Sequence, residues 1–252
     1  PPKRAAPKRA SEGIDHSFPS HYNVQEITNA ARLGALMPSP LQKSLFGESG
    51  ADANEMAMMI ARKYTGGYEI ASPHISFHGL SDATRAVTFS GWHAGHGHLP
   101  GGTFAIVAPY CYRCPLAQTF PSCELACLKT SFALLDAQTT GRPAAVITEP
   151  LFSAGGVIEP PEAIEDKVVS EGYAATHSHA NDPLICAAGI ASLDVIEQED
   201  IPAKARKIGK HMRERLEAFQ QRYEMIGDVR GRGQLLGVEL VRDRHSKEPA
   251  TD

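Results

Sequence analysis

Short apolar segments alternate with longer helical patterns along this chain, and this alternation constrains the fold more than any other feature. Three segments rich in Val, Ile or Leu have the length of buried strands, and they cover residues 103–108, 144–148 and 234–241. Helical patterns lie between them. Because strands and helices that alternate in this way usually build a parallel sheet covered by helices, the sequence predicts an α/β fold with a mostly parallel sheet.

Four helices are predicted from apolar residues that recur at three- and four-residue spacing, at about 50–64, 122–140, 183–198 and 202–223. The second has Ser122 as its expected N-cap, and its apolar face is formed by Leu125, Leu128, Phe132 and Leu135. The fourth has a charged face and an apolar stripe formed by Ala205, Ile208, Met212, Leu216, Phe219 and Tyr223. We expect the charged face of this helix to lie in solvent.

The charge and hydropathy of the chain exclude several classes of function. A net charge of −4 over 252 residues provides no general attraction to nucleic acid or to an anionic membrane. No apolar run approaches the length of a membrane span, and the N-terminus has no apolar core like that of a signal peptide. We therefore expect a cytoplasmic protein with no nucleic-acid partner and no membrane partner.

A turn of small residues directly precedes the first predicted helix. Ser49, Gly50 and Ala51 carry little side-chain bulk, so an anion can approach the backbone N–H groups that the first helical turn leaves without partners. The helix dipole also favours negative charge at this end. The pattern predicts a phosphate-binding turn at residues 49–51, although small-residue turns also open many helices as plain connections.

Four cysteines lie close together in the sequence. Cys111 and Cys114 form a C-x-x-C pair, Cys123 and Cys127 form a C-x-x-x-C pair, and this spacing is similar to that of a structural zinc site. Reduced cysteines packed as small apolar residues are the favoured interpretation, because Cys123 and Cys127 fall inside the predicted helix. The sequence thus predicts no metal here and leaves zinc as the alternative.

Three histidines lie in a glycine-rich loop, at His93, His96 and His98. No carboxylate lies near them in the sequence to orient the imidazole rings. An ordinary surface loop is therefore favoured over a metal site.

Further motifs follow the phosphate-binding turn in a definite order. They are Ser76-Phe77-His78-Gly79 after a predicted strand, a strand end at Glu149, Tyr173-Ala174-Ala175-Thr176-His177, and Val229-Arg230-Gly231-Arg232-Gly233-Gln234-Leu235-Leu236-Gly237-Val238-Glu239. In this order the motifs resemble class III aminotransferases of the fold-type-I pyridoxal-phosphate family, most closely the dialkylglycine decarboxylase branch. The resemblance covers residues 36–252, and several motifs in one order are more specific than any one alone.

The resemblance implies a fold-type-I α/β protein with pyridoxal 5′-phosphate as its cofactor. Gly50 and Ala51, with Ser49 beside them, match the loop that holds the cofactor phosphate through backbone N–H groups. Phe77 matches the aromatic residue that stacks on the pyridine ring, and His78 follows it as in the family. These residues are the implied cofactor-binding set.

Two further matches concern the substrate and the quaternary structure. Glu149 matches the acidic residue beside the cofactor that helps to handle the substrate. Thr176 matches the residue that reaches the cofactor phosphate of a neighbouring subunit, so it joins the cofactor-binding set and a homodimer is implied. Each residue also has a structural interpretation, as a strand-end surface carboxylate for Glu149 and as a helix cap for Thr176.

The chain departs from the family where the chemistry is most demanding. A pyridoxal enzyme needs a lysine that holds the cofactor as a Schiff base and an acidic partner for the pyridine nitrogen. The segments that carry them in the family would fall between Pro161 and Ala163, and neither is present there. A large internal segment is therefore inferred to be missing near residues 162/163.

Lys167 is the one lysine between Glu149 and Thr176 and has to be considered as a substitute. Acidic residues surround it in the sequence, and it fits the polar face of a short helix. Nothing in that setting would remove Lys167 from water, as a Schiff-base lysine requires. The predicted catalytic set therefore contains no lysine in its expected context.

The predicted organisation has three parts. Residues 1–15 form a disordered basic arm, residues 16–182 form a large cofactor-binding domain with the internal gap, and residues 183–252 form a truncated small C-terminal α/β domain. The arm is predicted because Pro-Lys-Arg-Ala nearly repeats there without a residue that could anchor a core.

The leading functional prediction is a pyridoxal-phosphate-dependent class III aminotransferase, of the dialkylglycine decarboxylase type, that acts on a small amino acid and a keto acid. A catalytically inactive homologue that binds a phosphate-bearing ligand, or pairs with an intact relative, is the first alternative. A zinc-stabilised interaction module at the four cysteines is the second.

Overall fold

The structure, a computed structural model, describes residues 23–37, 39, 41, 43–91, 93, 95, 97–161 and 183–251. The chain divides into two units that are each discontinuous in sequence, residues 1–64 with 171–202 and residues 65–170 with 203–252. The basic arm, the 162/163 gap, Lys167 and Thr176 lie outside the described residues. The three predicted sequence ranges stay a prediction.

In chain order, the described elements are α1 (Val24–Leu36), α2 (Gly50–Thr65), β1 (Glu69–Pro73), α3 (Asp82–Arg85), β2 (Thr103–Ile106), α4 (Ala126–Gln138), β3 (Pro143–Val146), α5 (Pro183–Gln198), α6 (Ile201–Arg222), β4 (Ile226–Arg232), β5 (Leu235–Asp243) and β6 (Glu248–Pro249). The predicted helices at 50–64, 183–198 and 202–223 are confirmed to within two residues. The left-handed backbone of Gly66, with φ 70°, follows the end of α2.

The first unit contains α1, α2 and α5. Arg32 on α1 forms ion pairs with Asp194 and Glu197 on α5, each with an N–O distance of 2.7 Å. Gly189 lies so close to the buried Asn29 that an added Cβ would be 2.9 Å from its Nδ2 atom. The two helices therefore pack closely where one side chain is absent.

The second unit contains a three-stranded parallel sheet in the order β2-β1-β3. In the register, Ile70 of β1 pairs with Thr103 on one side and with Ala145 on the other. Every residue of β1 is buried, and α4 contributes Leu135 to a core that also contains Ile106. The predicted parallel sheet is thus confirmed, with β1 as its central strand.

The third predicted strand forms, but its predicted burial is wrong. β5 pairs with β4 and with β6, antiparallel in both cases, in a separate sheet. Only the two residues Gly233 and Gln234 separate β4 from β5, and so short a connection permits only an antiparallel pair. Along β5, Val241 is buried while Leu235, Val238 and Leu240 are exposed.

The predicted start of the second helix is also wrong. α4 begins at Ala126, and its N-cap position is Leu125, which has a left-handed φ of 59° and no side-chain cap bond. The Ser122 hydroxyl instead donates a hydrogen bond to the Thr119 carbonyl at 2.7 Å. Residues 120–125 therefore form turns, and Leu125 cannot belong to the helical face. Phe132 on that predicted face is exposed.

The apolar stripe of α6 is not the face that packs on the β4–β5 hairpin. Gly209 is buried against that hairpin, and Arg213 donates to the carbonyls of Val229, at 3.3 Å, and of Gly231. Main-chain carbonyls need donors, which an apolar stripe cannot supply. The stripe residues Ile208, Met212, Phe219 and Tyr223 are exposed.

None of the helices in the described part of the chain combines the length and the apolarity that a membrane span needs.

Candidate functional site

Two loops leave the carboxyl edge of the parallel sheet, where ligands gather in α/β proteins. The loop after β1 carries Phe77, and the loop after β3 carries Glu149. The Glu149 Oε1 atom accepts a hydrogen bond from the Phe77 N–H at 2.8 Å, and Oε2 accepts one from the Ser153 N–H at 3.3 Å. The structure thus brings together two predicted site residues that are 72 positions apart in the sequence.

The residues on both sides of Phe77 are buried. The Ser76 hydroxyl lies 2.6 Å from the Ser72 hydroxyl, which also lies 3.0 Å from His78 Nε2. The His78 N–H donates to the Thr88 hydroxyl at 2.9 Å. Phe77 between them is only partly buried, unlike its two neighbours.

The His78 imidazole is held in its neutral form. Only 4% of the residue is exposed, and burial lowers its pKa from 6.5 to about 4. A neutral ring can donate through one nitrogen and accept through the other, which suits its contact with Ser72. His78 therefore supports the loop and carries no charge for a ligand at neutral pH.

The predicted phosphate-binding turn lies at the start of α2, in the first unit. Ser49 acts as a helix cap, because its hydroxyl accepts the Asp52 N–H at 3.2 Å and its carbonyl accepts the Ala53 N–H at 3.0 Å. The N–H groups of Gly50 and Ala51 precede the first intrahelical bond and point out of the helix start. A Cβ added at Gly50 would meet no atom within 4 Å, so the backbone is open to an anion.

Each unit by itself has one feature that suits a part of a pyridoxal phosphate group. In the first unit the open start of α2 suits a phosphate, and in the second unit the partly buried Phe77 suits a planar aromatic ring. Thr176 and Lys167, which were predicted for the neighbouring phosphate and as a substitute Schiff-base lysine, lie outside the described residues. Their roles, like those of Ser49, Gly50, Ala51, Phe77, His78 and Glu149, stay predictions.

All four clustered cysteines are free thiols that line one small cavity of about 20 Å³. Cys123 lies in the turns before α4, and Cys127 lies in its first helical turn, so the predicted placement of Cys123 inside the helix is wrong. Burial and the nearby thiols raise the pKa of Cys111, and burial also raises that of Cys127. No three His, Cys, Asp or Glu side chains are grouped as a metal site within the described ranges.

The histidine loop is only partly described. His93 Nδ1 lies 3.2 Å from the Thr88 carbonyl, and its ring lies 4.9 Å from that of Phe89. His98 is exposed, and His96 lies outside the described residues. His93 therefore packs against its own loop.

A charged cluster centred on Glu239 was missed by the sequence reasoning. Glu239 of β5 accepts hydrogen bonds from the Tyr110 hydroxyl at 2.6 Å, from Arg113 Nη2 at 2.6 Å and from Arg230 Nη2 at 2.7 Å. Burial alone would raise the pKa of Glu239, but the bonds from Tyr110 and Arg230 outweigh it and leave the pKa lowered. The sequence contained one signal, since Arg230 and Glu239 both lie in the motif of residues 229–239, to which the resemblance assigned no role.

Comparison with known proteins gives a consistent family. The class-III aminotransferase family model matches residues 4–179 and 166–252. Over 314 residues the chain is 27% identical to a leucine/methionine racemase of Thermococcus litoralis, with 99% of this chain and 71% of that protein covered. Over 282 residues it is 29% identical to the mitochondrial alanine–glyoxylate aminotransferase 2 homolog 2 of Arabidopsis thaliana, with 87% of this chain and 58% of that protein covered.

A solved structure shows the same fold. An amine transaminase from an uncultivated Pseudomonas species, in its PLP-bound form, superposes with a TM-score of 0.84 at 23% identity and covers 98% of this chain and 74% of that one. The predicted fold-type-I α/β architecture is confirmed. The alignment with the racemase, at 314 residues, is longer than the 252 residues of this chain, so the relative has residues without a counterpart here.

Proposed function

This chain belongs to the class III aminotransferase family, and from that membership we propose that it is a pyridoxal-phosphate-dependent enzyme that transfers an amino group from an amino acid to a keto acid. The observation that carries the proposal is the extent of the family match, which runs from residue 4 to residue 252 with an overlap at 166–179. The match includes both loops that meet at Phe77 and Glu149 and the start of α2.

From the family resemblance, we assign one part in cofactor binding to a segment of each unit. The N–H groups of Gly50 and Ala51 would hold the phosphate, with Ser49 as the cap of the same helix. The Phe77 ring would pack on the pyridine face, supported by the neutral His78. The bound cofactor supplies an electron sink for the carbon that carries the amino group.

We further assign the chain to the dialkylglycine decarboxylase branch, in which loss of carbon dioxide from the amino acid accompanies amino transfer. The order of the motifs from the phosphate-binding turn to Arg230-Gly231 supports this assignment. We also propose a homodimer in which Thr176 serves the neighbouring subunit, and a cytoplasmic location. These finer assignments rest on the resemblance alone.

The catalytic lysine decides whether this chain can turn over. The longer alignment with the racemase supports the inference that internal residues are missing here, and the family resemblance assigns the gap to residues 162/163, where the lysine and the pyridine-nitrogen partner would lie. Without that lysine the cofactor would be held only by the phosphate and by stacking, and would exchange freely with solution. The inactive homologue is therefore the competing candidate.

Reductive trapping tests the proposal. The purified chain is incubated with pyridoxal phosphate and reduced with borohydride. Mass spectrometry of its peptides then identifies any lysine that carries the reduced cofactor. The catalytic proposal requires an adduct on one named lysine, together with alanine formed from 2-aminoisobutyrate and pyruvate. Carbon dioxide released in the same assay distinguishes the decarboxylase type from simple amino transfer.

A variant with Lys167→Ala is the matched control for the trapping. If the adduct forms on Lys167, the variant loses both the adduct and the activity. An adduct on scattered surface lysines at equal yield, or none, would contradict the catalytic proposal and favour the inactive homologue.

A further inference from the structure

We propose that Glu149 is a positioning residue, which fixes the Phe77 ring by accepting the Phe77 backbone N–H. The proposal rests on the function proposed above, because the position of the ring matters only if it stacks on the cofactor. Glu149 follows β3 and Phe77 follows β1, and these two strands are neighbours in the parallel sheet. One carboxylate thus joins the two loops at the carboxyl edge of the sheet.

Both carboxylate oxygens of Glu149 contact main-chain N–H groups. Oε1 accepts from Phe77 at 2.8 Å and Oε2 accepts from Ser153 at 3.3 Å. The turn that begins at Ser153 packs beside the other loop, since a Cβ added at Gly155 would lie 3.0 Å from the Ile75 carbonyl oxygen. A charged acceptor that holds both loops keeps their separation constant.

The backbone on either side of Phe77 is fixed by other bonds. The Ser76 hydroxyl donates to the Val87 carbonyl at 3.1 Å, and the His78 N–H donates to the Thr88 hydroxyl at 2.9 Å. Glu149 fixes Phe77 itself. Three consecutive residues are then held in place, which reduces the freedom lost when a planar ligand stacks on the ring.

The positioning role and the substrate role of Glu149 make different demands. Direct handling of a substrate by Glu149 requires its negative charge, whereas accepting the Phe77 N–H requires only an oxygen atom. Glutamine keeps one acceptor oxygen without the charge, which is enough for the Phe77 N–H at 2.8 Å but not also for the Ser153 N–H at 3.3 Å, and alanine keeps neither. Glu149→Gln and Glu149→Ala therefore separate the two roles.

The experiment measures two quantities on the full chain. Amide hydrogen exchange at Phe77, resolved by fragmentation mass spectrometry, is measured without ligand, and the dissociation constant of pyridoxal phosphate is measured by spectroscopic titration. We expect Glu149→Ala to speed exchange at Phe77 about tenfold and to weaken cofactor binding about tenfold, while Glu149→Gln stays within about threefold of the parent in both. The control Glu159→Ala removes a carboxylate that contacts Arg232 instead, and should leave both unchanged.

The two measurements fail in different ways. Unchanged exchange at Phe77 in Glu149→Ala, or fast exchange in Glu149→Gln, would overturn the positioning role whether or not the cofactor binds. A parent chain that binds no pyridoxal phosphate but shows the expected exchange pattern would overturn the proposed function and leave the contact established. If Glu149→Ala does not fold, slow exchange in Glu149→Gln still supports the proposal and fast exchange still overturns it.

Discussion

The Arg230 guanidinium lies 2.7 Å from the Glu239 carboxylate across the β4–β5 hairpin, and both side chains are about one-seventh exposed. Arg113 and the Tyr110 hydroxyl donate to the same carboxylate, so three side chains share one acceptor. The Arg230 and Arg113 guanidinium carbons also lie 5.3 and 5.9 Å from the centre of the Tyr110 ring. This cluster attaches the 110–113 segment to the antiparallel hairpin.

We expect Glu239→Ala to lower the free energy of unfolding by about 2–3 kcal/mol, because it removes an acceptor that Tyr110, Arg113 and Arg230 share in a partly buried cluster and leaves Arg230 with Asp228 at 3.1 Å. Thermal and urea unfolding measure the change. Glu248→Ala is the matched control, since Glu248 pairs with Arg242 at 3.6 Å while both are more than half exposed, and it should cost less than about 1 kcal/mol. Equal losses in the two variants would contradict the assignment.

Protonation of His78 should contribute to the decrease in the free energy of unfolding at acidic pH. Its pKa is about 4 in the fold against 6.5 as the ordinary value, so the unfolded chain binds more protons between these pH values. The contribution to stability is therefore fully present above pH 6.5 and decreases as the pH falls towards 4, by about 3 kcal/mol in all. Urea unfolding at pH 7, 5.5 and 4.5 should show a steeper decrease for the parent than for His78→Gln. Parallel pH profiles would exclude this role.

Gly67 should tolerate no side chain. A Cβ there would lie 2.7 Å from the Pro143 carbonyl oxygen and 2.8 Å from that of Arg142, and both are backbone atoms at the start of β3. We expect Gly67→Ala to lower the free energy of unfolding by about 1–3 kcal/mol, because the strand has to shift. Gly91→Ala, where an added Cβ meets no atom within 4 Å, is the control. Calorimetry measures the melting temperatures of the two variants, and similar melting temperatures would contradict the prediction.

Asp52 should weaken anion binding at the start of α2. It is the acidic residue of the first helical turn, and its Oδ2 atom lies 3.4 Å from the Ser49 hydroxyl. Removal of this charge in Asp52→Asn is expected to tighten pyridoxal phosphate binding about threefold to tenfold, more at low salt than at high salt. Asp82→Asn, in the first turn of α3, should have no effect. Unchanged or weaker binding in Asp52→Asn would contradict the prediction.

Cys127 should react slowly with iodoacetamide at pH 7. It is partly buried, burial raises the pKa of its thiol, and the thiolate is the reactive form. Peptide mass spectrometry of the folded chain should show its modification to be at least about tenfold slower than in the unfolded chain, and slower than that of the exposed Cys111. Metal analysis of the purified chain tests the zinc alternative, and tight stoichiometric zinc would overturn the interpretation as packed thiols.

The sequence predicted elements well wherever one local pattern governs one element. The α2 helix follows from apolar spacing before Gly66, and β2 and β3 follow from short apolar runs. The start of α4 could not be predicted in this way. Ser122 has the right chemistry for an N-cap, but the left-handed Leu125 delays the helix and the Ser122 hydroxyl bonds to Thr119 instead.

For the candidate site, the sequence was sufficient to identify the family and the order of its motifs. Each motif, such as small residues at a helix start or an aromatic residue after a strand, can be recognised from residues that are neighbours in the sequence. Tertiary structure alone decided which of them meet. The contact between Glu149 and the Phe77 N–H depends on β1 and β3 being parallel neighbours, and the bond between Glu239 and Arg113 spans 126 positions. Neither pairing is encoded in any local pattern, since a sheet sets distances between segments that the chain itself leaves far apart.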